Sequence, residues 1–315
     1  MRRVAVVAIG GNSLIRDRQH QTVRDQYIAA QETCHHIAAM LSDGWDVAIG
    51  HGNGPQVGFI LRRSELAARE LHEVPLDVCG ADTQGAIGYA LQQSLQNDLR
   101  RKGIDRAVVT LVTQVEVAAD DPTFKRPTKP IGSFMSAAEA AQRRDRDGWD
   151  VLEDADRGWR RVVSSPEPLR IVELEAVDFL LAAGAVVITV GGGGIPVVAD
   201  SSGDLHGVAA VIDKDLAASL LAVQLHAELL LITTAVERVA LDFGRPAQRF
   251  VDQLTLAEAK RYLAEGTHFA AGSMAPKILA VTRFLEAGGR EAIITTPEHM
   301  ADALAGKTGT RITAV

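Results

Sequence analysis

The sequence predicts an α/β fold with a mainly parallel central sheet covered by helices on both faces. Two observations carry this. Apolar, β-branched runs alternate with longer helical patterns, as strand–helix–strand units do. The strand runs are apolar throughout rather than alternating, which suits strands buried on both faces.

The elements follow in order. Val4–Ile9 is a six-residue apolar strand that ends on Gly10-Gly11-Asn12. Asp25–Leu41 is a helix, and Asp46–Ile49 a strand that ends on Gly50-His51-Gly52-Asn53-Gly54-Pro55. A helix over Gln84–Lys102 leads to a strand over Ala107–Val112. From about Val117 to Val172 the alternation lapses. Asp120-Asp121-Pro122, Pro127, Pro130, the charged run Arg143–Asp147, Pro166 and Pro168 punctuate an inserted subdomain that protrudes from the sheet. The pattern then resumes. A helix at Ile171–Ala183 and a strand at Ala185–Val190 lead into Gly191-Gly192-Gly193-Gly194-Ile195-Pro196. Leu216–Leu225 is a helix running into a strand at Leu229–Thr233. Helices at Leu256–Ala264 and Pro276–Ala287 precede a last strand at Ala292–Thr295.

Composition narrows the class. At 315 residues the chain holds one large domain or two modest ones. With 47% apolar but only 4% aromatic residues, aliphatic side chains and alanine must fill the core. A net charge of −7 argues against nucleic acid as the main partner, yet leaves room for a local basic pocket. Cys34 and Cys79 are read as reduced thiols. The longest apolar stretch, Leu216 to Ile232, is broken by Ser219, Gln224, His226 and Glu228, so no membrane span is expected. Met1-Arg2-Arg3 precedes an apolar run too short for a signal peptide, and a cytoplasmic location is expected.

Ligands of such sheets bind beyond the carboxyl ends of the strands, where three glycine clusters stand. One cluster alone is a tight turn as readily as a ligand loop. Three together point to backbone N–H groups presented to an anion. The familiar phosphate motifs fail. Gly306-Lys307-Thr308 resembles the end of a P-loop, but Ala301 replaces its first glycine and no strand feeds it. The dinucleotide fingerprint fails at Pro55 and at Pro196. Nucleophile-elbow, zinc and C-x-x-C motifs are absent. Cys34-His35-His36 is read as ordinary helix surface and core, and His51 as a structural hydrogen-bonding ring.

Lysines remain. Most are solvated surface charges, but three sit among glycine, proline or aspartate at element ends. Lys129 lies in the Thr128-Lys129-Pro130-Ile131-Gly132 loop of the insertion. Lys214 lies in Val211-Ile212-Asp213-Lys214-Asp215, just before a helix that Asp213 would cap. Lys277 follows Pro276, which suits a first helical position, so Lys277 is expected in a helix's first turn.

Taken together, VVAIGGNSL, GHGNGPQVG, TQGAIGY, TKPIG, DRGWRRVV, GGGGIPVV, VIDKD and GSMAPK resemble carbamate kinase, a branch of the amino acid kinase family. They run in the family's order from about residue 4 to 278. The resemblance implies a three-layer αβα sandwich and a homodimer. It implies reversible phosphoryl transfer between ATP and carbamate, giving ADP and carbamoyl phosphate, with Mg²⁺ held mainly by nucleotide phosphates. Arginine or agmatine breakdown is the usual setting. Many relatives acting on other acceptors carry a lysine just before the first glycine pair. Here that stretch is Val6-Val7-Ala8-Ile9, and Lys129 of the insertion matches the missing role.

The roles carried over are these. Gly10, Gly11, Asn12, Gly52 and Asn53 would cradle carbamate and the moving phosphoryl group. Lys129 and Lys214 would stabilise its charge, with Asp213 orienting Lys214. Lys277 would hold nucleotide phosphates. The stretches Thr234–Gly244 and Ala270–Met274, including Ala235, Phe243 and Met274, would line the adenine pocket, within a nucleotide lobe from 213 to 315 and an acceptor lobe from 1 to 212. Two positions depart from the pattern: Phe243 replaces a common tyrosine, and Asp156 stands where glycine is usual. Two alternatives stay open: a kinase of the same fold for another small carboxylate, and a non-catalytic nucleotide or metabolite sensor.

Overall fold

The computed structural model describes residues 2–10, 14–15, 19–153, 158–270 and 272–315, the Ser133 side chain aside. Gly11, Asn12 and Asp156 lie outside the described residues. The chain begins with β1 (Val4–Ile9), α1 (Val23–Ser42), β2 (Asp46–His51), α2 (Gly54–Ala67), α3 (Leu76–Arg101), β3 (Val108–Thr110) and β4 (Gln114–Glu116). The insertion holds β5 (Lys129–Met135), α4 (Ala137–Asp147), β6 (Val151–Glu153) and β7 (Trp159–Val163). The chain returns through β8 (Arg170–Ile171), α5 (Leu174–Ala182), β9 (Val186–Ile188), β10 (Ile195–Ala199), β11 (Leu205–Gly207), α6 (Lys214–Gln224) and β12 (Leu229–Thr233). It ends with β13 (Val239–Leu241), β14 (Arg249–Val251), β15 (Gln253–Thr255), α7 (Leu256–Glu265), α8 (Met274–Glu286), β16 (Glu291–Thr295), α9 (Met300–Leu304) and β17 (Thr310–Thr313).

Among the described residues the main sheet has eight strands, ordered β15-β17-β16-β12-β1-β2-β9-β3. β1 is central, parallel to β12 on one side and to β2 on the other. Its side chains alternate between faces, as strand geometry requires. Val4, Val6 and Ala8 enter one core with α5, α6, α7 and α8. Ala5, Val7 and Ile9 enter the other with α1, α3 and α9. This is the three-layer αβα sandwich. Only β17 runs antiparallel to its neighbour β16. No helix among the described residues is long and apolar enough to cross a membrane.

β4 and β8 pair antiparallel where the chain leaves for the insertion and returns. Beyond that base, β5, β7 and β6 form a small antiparallel sheet. The charged run Arg143–Asp147, which punctuates the insertion in the sequence, forms the end of α4. Ser136 caps that helix and Gly148 closes it at φ 66°. Only Ala140 of α4 is buried, so the helix presents no apolar stripe to read. Trp149 follows, with the Arg143 and Arg161 guanidinium groups over its ring at 4.7 Å each.

Other helices also depart from the sequence expectations, α2 and α3 among them. α2 was not expected, because its first residues, Gly54 and Pro55, belong to a glycine cluster. Pro55 is tolerated there because the first-turn N–H groups have no helical partner anyway. α3 begins at Leu76, eight residues before the expected start, its interior holding Gly80, Gly85 and Gly88. Gly88 has a packing reason: a Cβ there would lie 2.2 Å from Thr110 Cγ2. Both cysteines are free and buried, and burial pushes the Cys79 thiol up to about 11.

Candidate active site

Because β1, β2, β9 and β12 are mutually parallel, their carboxyl ends open on one edge of the sheet. After β1, the Gly10 N–H donates to Thr233 Oγ1 at the end of β12, 3.1 Å away. After β2, the Gly52 N–H donates to the Ile9 carbonyl at 2.9 Å. Asn53 follows, buried, its Nδ2 donating to Thr83 Oγ1 at 2.7 Å. The Thr83 hydroxyl donates in turn to the Gly80 carbonyl.

The third cluster, Gly191–Gly194, needs glycine for two reasons. Gly192, Gly193 and Gly194 hold φ of 69°, 95° and 89°, in the left-handed region. The run is also wedged: a Cβ on Gly192 would meet Asn53 Nδ2 at 2.1 Å, and one on Gly193 the Ile212 carbonyl at 2.6 Å. The run therefore joins the β2 loop to the segment before α6. Gln84, buried in α3, pins it from below. Its Nε2 donates to the carbonyls of Gly191 and Thr113 at 3.0 Å, and its Oε1 accepts from the Thr113 N–H at 2.8 Å. The sequence contained Gln84 within TQGAIGY, but nothing in its type signalled this clamp. His51 is fully enclosed beside it, with Nδ1 bonded to the Gly52 carbonyl at 3.2 Å. Burial drives its pKa down to about 4, so the ring stays neutral.

Asp213 caps α6, its Oδ1 accepting from the Asp215 N–H at 2.9 Å. Its Oδ2 accepts from Lys129 Nζ at 2.5 Å, so the insertion reaches the main body here. Asp213, expected to orient Lys214, makes no hydrogen bond to it here, although the two charges still act on each other. Lys214 Nζ instead bonds both oxygens of Asp215 at 2.9 Å. The reason is local: the cap points one Asp213 oxygen at the helix N–H and leaves the other for β5. Lys277 Nζ donates to Asp215 Oδ2 at 2.8 Å. Lys277 is the fourth residue of α8 rather than the second expected from Pro276, because the helix starts at Met274. The Asp215 side chain is 2% exposed and was not singled out from the sequence, although it closes the VIDKD segment.

Burial alone would raise both carboxyl pKa values. Lys129 and Lys214 outweigh it at Asp213, and Lys214 and Lys277 at Asp215, so both stay ionised. Burial opposes the Lys214 charge, but Asp215 and Asp213 hold its pKa up. At Lys277 burial wins, helped by the Lys214 charge, and its pKa is lowered. Three ammonium groups against two carboxylates leave one positive charge unmatched, which suits an anion. Ala235 and Phe243 are exposed beyond β12 and β13, Phe243 at 62%, while Met274 is half-buried against the core. Among the described residues no three His, Cys, Asp or Glu side chains converge as a metal site.

Parallel strands, glycine loops at their carboxyl ends and a lysine–aspartate cluster define an anion-handling α/β site. The amino acid kinase family profile matches residues 3–296. The chain is 51% identical to carbamate kinase-like protein YahI of Escherichia coli, over 99% of each. It is 45% identical to carbamate kinase of Pyrococcus horikoshii, over 98% of each. Among solved structures it is similar to carbamate kinase from Giardia lamblia bound to AMP-PNP. The TM-score is 0.91 at 39% identity, covering 99% of this chain and 98% of that one. The chain belongs to the amino acid kinase family, in the branch of the carbamate kinases and carbamate kinase-like proteins.

Proposed function

We propose that the protein is a carbamate kinase, transferring a phosphoryl group reversibly between ATP and carbamate. One observation carries this: Lys129, from the insertion, meets Asp213 at the body's lysine cluster, while Val6–Ile9 of β1 holds no lysine. Carbamate is already an anion, so its oxygen attacks without a general base. Catalysis then rests on alignment and on charge stabilisation at the moving phosphoryl group. Lys129 and Lys214 meet that charge, Lys277 holds the nucleotide phosphates, and Asp213 and Asp215 fix the three ammonium groups. Gly10, Gly11, Asn12, Gly52 and Asn53 cradle the acceptor, and Ala235, Phe243 and Met274 border the adenine.

Asp213 and Asp215 are both engaged by lysines, so the donors present fit a Mg²⁺ ion carried on nucleotide phosphates rather than in a protein cage. When bound, the ion neutralises phosphate charge. Residues 1–212 serve the acceptor and 213–315 the nucleotide. A cytoplasmic homodimer making ATP during arginine or agmatine breakdown completes the proposal, supported by the sequence resemblance.

The test is ATP formation from ADP and fresh carbamoyl phosphate with Mg²⁺, coupled to hexokinase and a dehydrogenase, against a no-enzyme control. Rapid ATP formation is expected. Its absence from folded protein that binds ADP would sink the proposal. The alternative, a kinase for another small carboxylate, is favoured by one fact: the 51% identical relative is named only carbamate kinase-like. Faster turnover with another carboxylate would decide for it.

A further inference from the structure

We propose that Gly58 is a positioning residue for Lys129: its bare Cα is the seat on which β5 rests, and the depth of that seat sets how far Lys129 reaches. The inference rests on the proposed role of Lys129. Gly58 lies inside α2, buried, where alanine is the better helix former. The glycine is explained by what faces it. A Cβ there would lie 2.1 Å from Gly132 Cα and 2.7 Å from Gly132 N. Both are backbone atoms, which cannot rotate aside. The demand is one-sided, since a Cβ on Gly132 would find Gly58 Cα at an ordinary 3.7 Å; Gly132 needs glycine for its φ of 70°.

The contact is stiff on both sides. Val57 and Ile131, the neighbours of the two glycines, are buried in one apolar cluster with Leu76, Cys79, Val163 and Val211. Beside the contact lies a small cavity of about 120 Å³, lined by Gly58, Leu61, Ile131, Gly132, Phe134 and Arg161 among others. Lys129 lies three residues before Gly132 on β5, joined through Pro130 and the buried Ile131. A methyl group on Gly58 must open the gap from 2.1 Å to at least 3.4 Å, a retreat of about 1.3 Å. A displacement near 1 Å in a catalytic array costs on the order of 10²-fold in rate.

The test compares Gly58→Ala, Lys129→Ala and the double variant with the wild type. Gly58→Ala is expected to lower kcat on the order of 10²-fold. Its Kd for ADP should stay near the wild-type value. Adding Gly58→Ala to Lys129→Ala should cost little more, because the two act through one contact. Independently of turnover, Lys129 should react several-fold faster with an amine-reactive label in Gly58→Ala, read by peptide mass spectrometry. Unchanged labelling, unchanged kcat, or a full further loss on top of Lys129→Ala would overturn the inference. Loss of ADP binding would overturn it too, making Gly58 a residue of the fold. If Lys129→Ala itself retains turnover, the role proposed for Lys129 fails in its own arm and takes this inference with it.

Discussion

Lys129 and Asp213 are 84 residues apart in sequence and 2.5 Å apart in space. One starts an antiparallel strand of the insertion and the other caps the helix that opens the lysine cluster. The pair closes a circuit between subdomain and body. It makes the insertion part of the candidate site rather than an ornament on the sheet.

Lys129→Ala is expected to lower turnover by about 10²–10³-fold, the usual loss of one charge-stabilising donor. ADP binding should survive, since Lys129 is placed to serve transfer rather than the nucleotide. Isothermal titration with ADP beside the coupled assay separates the two. Near-normal turnover would remove Lys129 from the mechanism.

Asp215→Asn should be worse for the fold. It leaves Lys214 and Lys277 side by side, largely buried, without their shared carboxylate. Removing one partner of a buried pair costs on the order of 3–5 kcal/mol. A urea midpoint unchanged from wild type would show that water or another group compensates.

His51 predicts a pH dependence. Its folded pKa, about 4, lies below the ordinary 6.5, so the unfolded chain binds a proton that the folded one refuses. Stability therefore falls as pH drops from about 6.5 to about 4. In His51→Asn that component should vanish from urea midpoints measured between pH 7 and 4. Equal slopes in both proteins would assign the dependence elsewhere. Asp213 and Asp215 act in a lower window. Their depressed values give stability above the ordinary carboxylate pKa of about 4, lost as pH falls further.

Gln84→Ala should unpin the glycine run. It strands the Thr113 N–H, at about 1–3 kcal/mol for a buried group left unsatisfied, while the Gly191 and Thr113 carbonyls each lose one of two donors and keep the Gly194 and Ile195 N–H groups. Turnover should fall with little change at Lys129, whose labelling by an amine reagent checks this. Wild-type kcat in that variant would show that the run holds its shape without the clamp.

The sheet was legible because its strands are unbroken aliphatic runs, and β1 and β12 match the expected bounds. The lysines were legible from their glycine, proline and aspartate neighbours. Their pairing was not: which carboxylate meets which ammonium depends on the helix cap at Asp213 and on the landing of β5, both tertiary. Asp215 and Gln84 were missed for the same reason. A buried aspartate beside a lysine, or a glutamine in a helix, acquires its role only from chain segments far away. α4 was missed because it carries charge where a periodic apolar face would announce a helix.

The chain holds three tryptophans, Trp45, Trp149 and Trp159. Trp45 lies in the body under the Arg3 guanidinium, 4.0 Å from its ring centre. The other two belong to the insertion, and Trp149 carries two arginine guanidinium groups over its ring. Two of the three indoles thus stand in the insertion. Local loosening there will shift the emission spectrum while far-ultraviolet dichroism, governed by the αβα body, stays level. The protein carries its own optical gauge of the one element that brings Lys129 to the body.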